Sequence, residues 1–405
     1  MRRIALWILC CLIMVSTLTG CWSRRELNDI SIVVGMGIDK QDGEYLLSAQ
    51  VVIPESVSSK QSAGGGVPTS IMKSTAPTMV EAIRKMLKTS PRYFYLSHLR
   101  VLVISEQVAR EGIQDIFDFF SRDNELRDDF YILLAKGQRA EDILSVVTRL
   151  EKAQATKLFK SLEWNRKLTG ETANVFLDEL LADLTSTGKM AVLSGVEIIG
   201  NKKQAEQIKN VQKSADYAHF KMTSIGVFMD DKLIGWLSES ESRDYNYITG
   251  KIRGAVERIA CPKKDSLDLR VNRVQSKLKT NVVKGKPQGR VDLFIEADVS
   301  EVHCVIELDK PESLYELEKK LAEKLQASLR QVVRKAQKTY GSDIFGFGNA
   351  IHRANPKAWK KLSKNWNKEF VSMPVAISVQ AKVRRTGTQS NSFINDIQKK
   401  KKKEQ

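Results

Sequence analysis

The spacing of apolar residues changes several times along the chain, and each change predicts an element. Ser31 to Ile38 and Tyr45 to Ile53 are apolar-rich runs joined across Asp42-Gly43, a dipeptide suited to a tight turn, so a hairpin is predicted. Thr78 and Glu81 form a capping-box pattern ahead of Val80, Ile83 and Leu87, whose spacing lays one apolar stripe on a helix near 78–88. The run from His98 to Ser105, with Leu99, Val101, Leu102, Val103 and Ile104, suits a strand covered on both faces. Helical spacing returns at Ile113, Ile116, Phe117 and Phe120, and strand character at Phe130 to Ala135. A mainly helical stretch from Ala140 to Leu184 is expected to cover this α/β material.

Further on, Ser224 to Met229 and Lys232 to Leu237 predict a second hairpin around Asp230-Asp231. Val291, Leu293, Ile295, Ala297 and Val299 alternate with polar residues, the period of antiparallel strands with one wet face. After Ser313 and Glu316, a second capping box, Leu317, Leu321, Leu325, Leu329, Val332 and Ala336 recur at three and four residues. This is the longest predicted helix, and its leucine stripe is expected to pack on its own domain's sheet. Val375, Ile377, Val379, Ala381 and Val383 alternate as a closing strand, and no internal repeat is visible. The fold class predicted is α+β: several mixed α/β domains with largely antiparallel or mixed sheets covered by helices.

The first twenty residues have another character. Arg2 and Arg3 precede an apolar run from Ile4 to Val15 that ends in small residues, the layout of a secretory signal peptide. The run is shorter than the roughly 20 apolar residues of a membrane-spanning helix. Leu18-Thr19-Gly20-Cys21 matches a lipobox, in which the Cys21 sulfur takes a diacylglyceryl group and a peptidase cuts before it. The predicted organisation is therefore a leader over 1–20, an N-terminal α/β domain over 21–200 with a mobile Gly/Ser-rich loop at 56–70, and a polar connecting segment over 201–218. A C-terminal α/β domain over 219–388 and a basic, disordered tail over 389–405 complete it.

Charge and cysteine count narrow the partners. The formal charge of +17 becomes +15 when Arg2 and Arg3 leave with the leader, and five of those charges are Lys399 to Lys403. Export removes nucleic acid as a partner, and anionic lipid headgroups or wall polymers are the better match for the excess. Cys261 and Cys304 either form one disulfide or remain buried free thiols, and the sequence leaves both open.

Nothing in the sequence assembles catalytic chemistry. His98, His219, His303 and His352 lack metal-ligand spacing, and His303-Cys304 would point to opposite faces of a strand. Gly35-x-Gly37 lacks the third glycine and the helix of a dinucleotide fingerprint. Arg122, Asp123, Glu125 and Arg127 are a candidate ion-pair cluster. Gly346-Phe347-Gly348 with Trp359, Trp366 and Phe370 line either a ligand cleft or, more simply, a helix–core contact. No catalytic, cofactor-binding or metal-binding residue is assigned. The one site residue predicted is Cys21, for lipidation.

Reading on from the lipobox, Cys21-Trp22-Ser23-Arg24-Arg25-Glu26-Leu27-Asn28-Asp29 and Gly37-Ile38-Asp39 resemble the start of the spore germination receptor C-subunit family. The resemblance continues through Pro91-Arg92, Tyr95, His98, Gly112, Arg122-Asp123, Glu125 and Arg127. In the second half it includes Gly226-Val227-Phe228, Asp231-Lys232, Gly235-Trp236-Leu237, Glu241-Ser242 and Tyr247. It closes with Asp343, Gly346-Phe347-Gly348, Pro356, Trp359, Trp366 and Arg384-Arg385-Thr386-Gly387; Ser23 departs from the pattern, where the family often has an acidic residue. The resemblance implies a non-enzymatic lipoprotein subunit of a nutrient germinant receptor. It would sit on the outer face of the spore inner membrane with an A subunit and a permease-like B subunit, and use no cofactor. The rival reading is a lipid-anchored solute-binding protein of a transporter, which requires a cleft between two doubly wound lobes.

Overall fold

The structure, a computed structural model, describes residues 29–53, 69–148, 151–207, 210, 217–261 and 265–385, together with 2–5, 7 and 400. Cys21, the tail except residue 400 and most of the 56–70 loop lie outside the described residues.

Two mixed sheets organise it, and the first is nine-stranded. Strands β1 (Ile30–Gln41) and β2 (Glu44–Val52) form the predicted hairpin, with Asp42 and Gly43 both in the left-handed region at φ 50° and 82°. Strand β3 (Thr69–Ala76) pairs with β2, so the last two residues of the expected loop open a strand. Helix α1 (Met79–Leu87) starts where predicted, the Thr78 hydroxyl accepting the Glu81 N–H. The short β4 (Tyr93–Tyr95) pairs with the start of β1. Then β5 (Val101–Ser105), β6 (Tyr131–Ala135) and β7 (Val192–Gly200) follow β1 in parallel.

These central strands read as continuous apolar runs because both faces are covered. Leu102, Ile104, Ile132 and Leu134 enter one core, with α1, α2 (Glu106–Glu111), α3 (Gln114–Arg122) and α6 (Leu177–Leu184). Val101, Val103, Leu133 and Ala135 enter the other, under α4 (Ala140–Ser145) and α5 (Gln154–Leu168). The stretch predicted as mainly helical thus holds three helices on two faces of the sheet. Gly35 and Gly37 of β1 serve helix packing: Cβ atoms there would lie 2.9 Å from Ala155 Cβ and 3.1 Å from Leu144 Cδ1, so α4 and α5 lie directly on the strand.

The large sheet continues across the connecting segment expected at 201–218, which holds the one-turn α7 (Lys202–Ala205). Strand β8 (Ala218–Met229) is antiparallel to β7, and β9 (Lys232–Trp236) closes the edge. Helix α8 (Glu239–Thr249), with a capping box between Ser238 and Glu241, leads to the second sheet. There β10 (Ala255–Ala260), β11 (Ser266–Val283) and β12 (Lys286–Val302) form an antiparallel meander, and β13 (Val375–Arg385) joins β12 in parallel.

Helix α9 (Pro311–Lys335) covers this sheet with Leu317, Leu321, Leu325, Leu329, Val332 and Val333 buried. Each such leucine contributes roughly 1.5–3 kcal/mol. The capping box read at Ser313 and Glu316 does not form. Lys310 is the N-cap and Pro311 opens the helix, where its fixed φ fits and its missing N–H costs nothing. Helices α10 (Phe347–Ala354), α11 (Pro356–Leu362) and α12 (Trp366–Ser372) follow. One apolar cluster runs from β1 through α8 to β13, so both sheets share a core.

Candidate functional site

The carboxyl ends of β1, β5 and β6 open together on one edge of the large sheet, the place where open parallel sheets hold ligands. They border a crevice of about 830 Å³ lined by Asp39, Ser105, Glu106, Arg110, Gln138 and Lys202, among others. Each charge there has a partner. Asp39, 2% exposed, accepts N–H bonds from Ala140 (2.8 Å) and Glu141 (2.9 Å) and so anchors the start of α4 to the end of β1. Burial raises its pKa above the ordinary aspartate value, against those two donors.

Glu106 accepts from Arg110 (2.6 Å), the Gly137 N–H (3.0 Å) and the indole of Trp236 (3.2 Å). Burial opposes its ionisation, but these donors together hold the carboxyl below the usual glutamate range. Asp142 pairs with Lys202.

Trp236 is what connects this crevice to the chain's second half. Its ring lies under the Lys136 ammonium at 4.9 Å, and a Cβ at Gly195 would stand 2.8 Å from it. Behind it, Gly235 leaves room for the ring of Tyr340, whose hydroxyl donates to the Trp236 carbonyl at 2.7 Å.

The second cluster is built on Asp343, which is fully buried. Its carboxylate accepts from the N–H groups of Phe345 (3.2 Å), Gly346 (2.9 Å) and Gly348 (2.9 Å) and from the Trp366 indole (3.0 Å). Burial pushes it up to about 6. The glycines are steric requirements: Gly346 has φ 85°, and a Cβ on Gly348 would lie 2.6 Å from Gly188 Cα. Trp359, Trp366 and Phe370 are buried around this loop, so the aromatic set packs a core.

The third cluster surrounds α8. The Ser242 hydroxyl accepts from the Ile225 N–H (2.9 Å) and donates to the Ser238 carbonyl (2.7 Å), and Glu241 pairs with Lys335 of α9 at 2.6 Å. Arg243 reaches Glu171 (2.8 Å) and Glu257 (3.5 Å), while Glu257 also receives Lys324 (2.6 Å) and the Tyr247 hydroxyl (3.2 Å). Beside them Asp244 accepts from Ser328, and burial pushes it to about 7.

Other predicted residues separate. Arg122 pairs with Asp118 and Arg127 with Asp129, while Asp123 accepts the Glu125 N–H and Glu125 takes the Tyr93 hydroxyl, so the expected cluster of four does not form. The reason is reach: i,i+4 and turn partners lie nearer than the residues across the bend. Cys304 is disulfide-bonded to Cys261, and His303 faces Glu301. Among the described residues no group of three or more His, Cys, Asp or Glu is placed to hold a metal ion. Glu106, Asp142, Arg243 and Glu257 escaped the sequence reading because no local pattern marks them; their partners are 10 to 130 residues away where they cross elements.

Each half of the chain matches a known family model. A model described as the spore germination protein N-terminal domain matches residues 23–198, and one described as spore germination B3/GerAC like, C-terminal, matches residues 223–387. The chain belongs to the GerAC-like spore germination family. GerAC-like relatives align over nearly full length. Spore germination protein KC of Bacillus subtilis is 29% identical over 390 residues, covering 94% of this chain and 95% of that protein. Spore germination protein A3 of the same organism is 27% identical, covering 90% and 93%. The crystal structure of the GerBC protein superposes with a TM-score of 0.52 over 86% of this chain and 96% of that one at 19% identity, and so shares the fold.

Proposed function

We propose that this GerAC-like chain is the lipoprotein C subunit of a nutrient germinant receptor. It assembles with A and B membrane subunits and relays nutrient binding into germination. Lipid on Cys21 holds it on the outer face of the spore inner membrane, and it performs no catalysis. The observation that carries this reading is the match of both family halves in order over almost the whole length after the leader. The site geometry supports it: the family-motif side chains Asp39, Trp236, Ser242 and Asp343 are spent on holding elements together. Among the described residues no helix is long and apolar enough to cross a membrane.

The transporter rival requires two doubly wound lobes, and the second sheet is instead an antiparallel meander with one parallel edge strand. The test is deletion of the chain in its own host. Spores should lose the response to one set of nutrients and keep nutrient-independent germination. An unaltered nutrient response would refute the proposal.

A further inference from the structure

Helix α5 presents a stripe that the fold leaves open. Trp164 and Leu168, one turn apart, are 60% and 61% exposed, and Lys160 and Lys167 lie on the same face. The helix is packed by its opposite side, with Ala155, Leu158 and Leu162 buried. Between 151 and 168 the sequence carries Lys152, Lys157, Lys160, Arg166 and Lys167 against Glu151 and Glu163. Lys160 meets Glu151 at 2.5 Å, and Lys167 stands 5.2 Å from the Trp164 ring. Beyond the helix end, Gly254 lies against the Lys167 carbonyl, and Val256 two residues on is 46% exposed. Tryptophan and leucine flanked by lysines is the chemistry of a side that enters the headgroup region of a bilayer.

Placement in the fold selects that occupant. The parallel strands β1, β5 and β6 share their amino ends, and α5 crosses there: Phe159 lies 5.4 Å from the guanidinium of Arg100, just before β5, and Glu163 accepts the hydroxyl of Tyr131, the first residue of β6. Strand β1 starts at that same end, nine residues after Cys21. A tether of that length reaches about 30 Å at most. We infer that the Lys160–Trp164–Lys167–Leu168 stripe docks on anionic phospholipid headgroups beside the anchor, fixing how the molecule stands on the membrane. The inference rests on the lipid anchor at Cys21.

The full chain, purified from its host's membranes, is placed in phosphatidylglycerol–phosphatidylcholine vesicles with brominated acyl chains, and acylation of Cys21 is read by mass spectrometry. Tryptophan quenching should contain a component that Trp164→Phe removes, while Trp22, adjacent to the anchor, keeps the remainder. That component should also be lost in Lys160→Gln/Lys167→Gln and in vesicles of phosphatidylcholine alone. Quenching indifferent to residue 164 in an acylated chain overturns the docking and leaves the anchor standing. Quenching at residue 164 in a chain without acyl groups supports the docking and refutes the anchor. Shielding of Trp164 only when other membrane proteins co-purify overturns the lipid occupant in favour of a protein.

Discussion

Replacing Asp244 with asparagine should stabilise the protein, and only where the carboxylate would otherwise be charged. Asp244 is 7% exposed, accepts one hydroxyl from Ser328, and has Glu257 nearby. Burial, the largest effect, outweighs the Ser328 bond and the charges of Arg243 and Lys324, so the carboxyl titrates at about 7 instead of 3.8. Between those values the folded chain holds a proton that the unfolded chain has released, so stability falls as pH rises across that window and levels off above it. At 1.36 kcal/mol per tenfold, the full cost is roughly 4 kcal/mol at pH 8. An amide keeps the Ser328 contact without the charge, and its own burial takes back part, leaving about 2–3 kcal/mol. For one cooperative body of roughly 360 residues, at about 2.1 cal/mol/K of unfolding entropy each, that is about 3–4 °C in Tm. Calorimetric melts of both proteins should show Asp244→Asn ahead by that margin at pH 8 and by less than half of it at pH 5. Equal shifts at both pH values would show that the gain is not tied to ionisation, and a variant that melts lower at pH 8 would show that the ionised carboxylate is needed; either outcome refutes the reasoning.

Three further outcomes are expected. Asp343→Ala removes the acceptor of four buried donors; at about 1–3 kcal/mol each this is comparable to a typical stability margin, and loss of the near-UV dichroism of Trp359 and Trp366 measures it. Opening the Cys261–Cys304 bond, which closes a separation of 43 residues, should cost at most about 4 kcal/mol, read as the Tm difference between wild type and Cys261→Ser/Cys304→Ser. Cys21→Ala should leave the fold intact while receptor assembly falls, measured by co-purification with the membrane subunits; undiminished assembly would count against the anchor.

Legibility in the sequence followed the reach of the interaction. Central strands and α9 were readable because burial on both faces, or on one helical stripe, writes an uninterrupted period. Strand β11 was not, although Leu267, Leu269 and Val271 alternate with Val274 and Leu278. A bulge between Val271 and Arg273 shifts the period by one and breaks the pattern where it would have become long enough to see. Its turn, Lys284-Gly285, uses lysine at φ 49° where asparagine or aspartate would have signalled it. Helix α8 hid for another reason. Its buried face carries Ser242, Asp244, Asn246 and Tyr247, polar groups with partners from elsewhere in the chain. At the sites, Asp343 and Trp236 were quotable as motif members, while their roles required knowing which backbone N–H and which carboxylate the fold would bring to them.

The shared core has a consequence for how such a protein can be altered. Family models divide the chain near residue 210, yet β8 and β9 after that point complete the sheet begun before it, and α8 is bolted to Glu171, to β8 and to α9. Cutting there would strip β7 of its neighbour and bare the apolar side that Ile225, Val227 and Phe228 cover. The unit of exchange between relatives is therefore the entire body: a hybrid joining one relative's first half to another's second must also transplant the far side of every contact in the seam, or it inherits two surfaces cut for different partners.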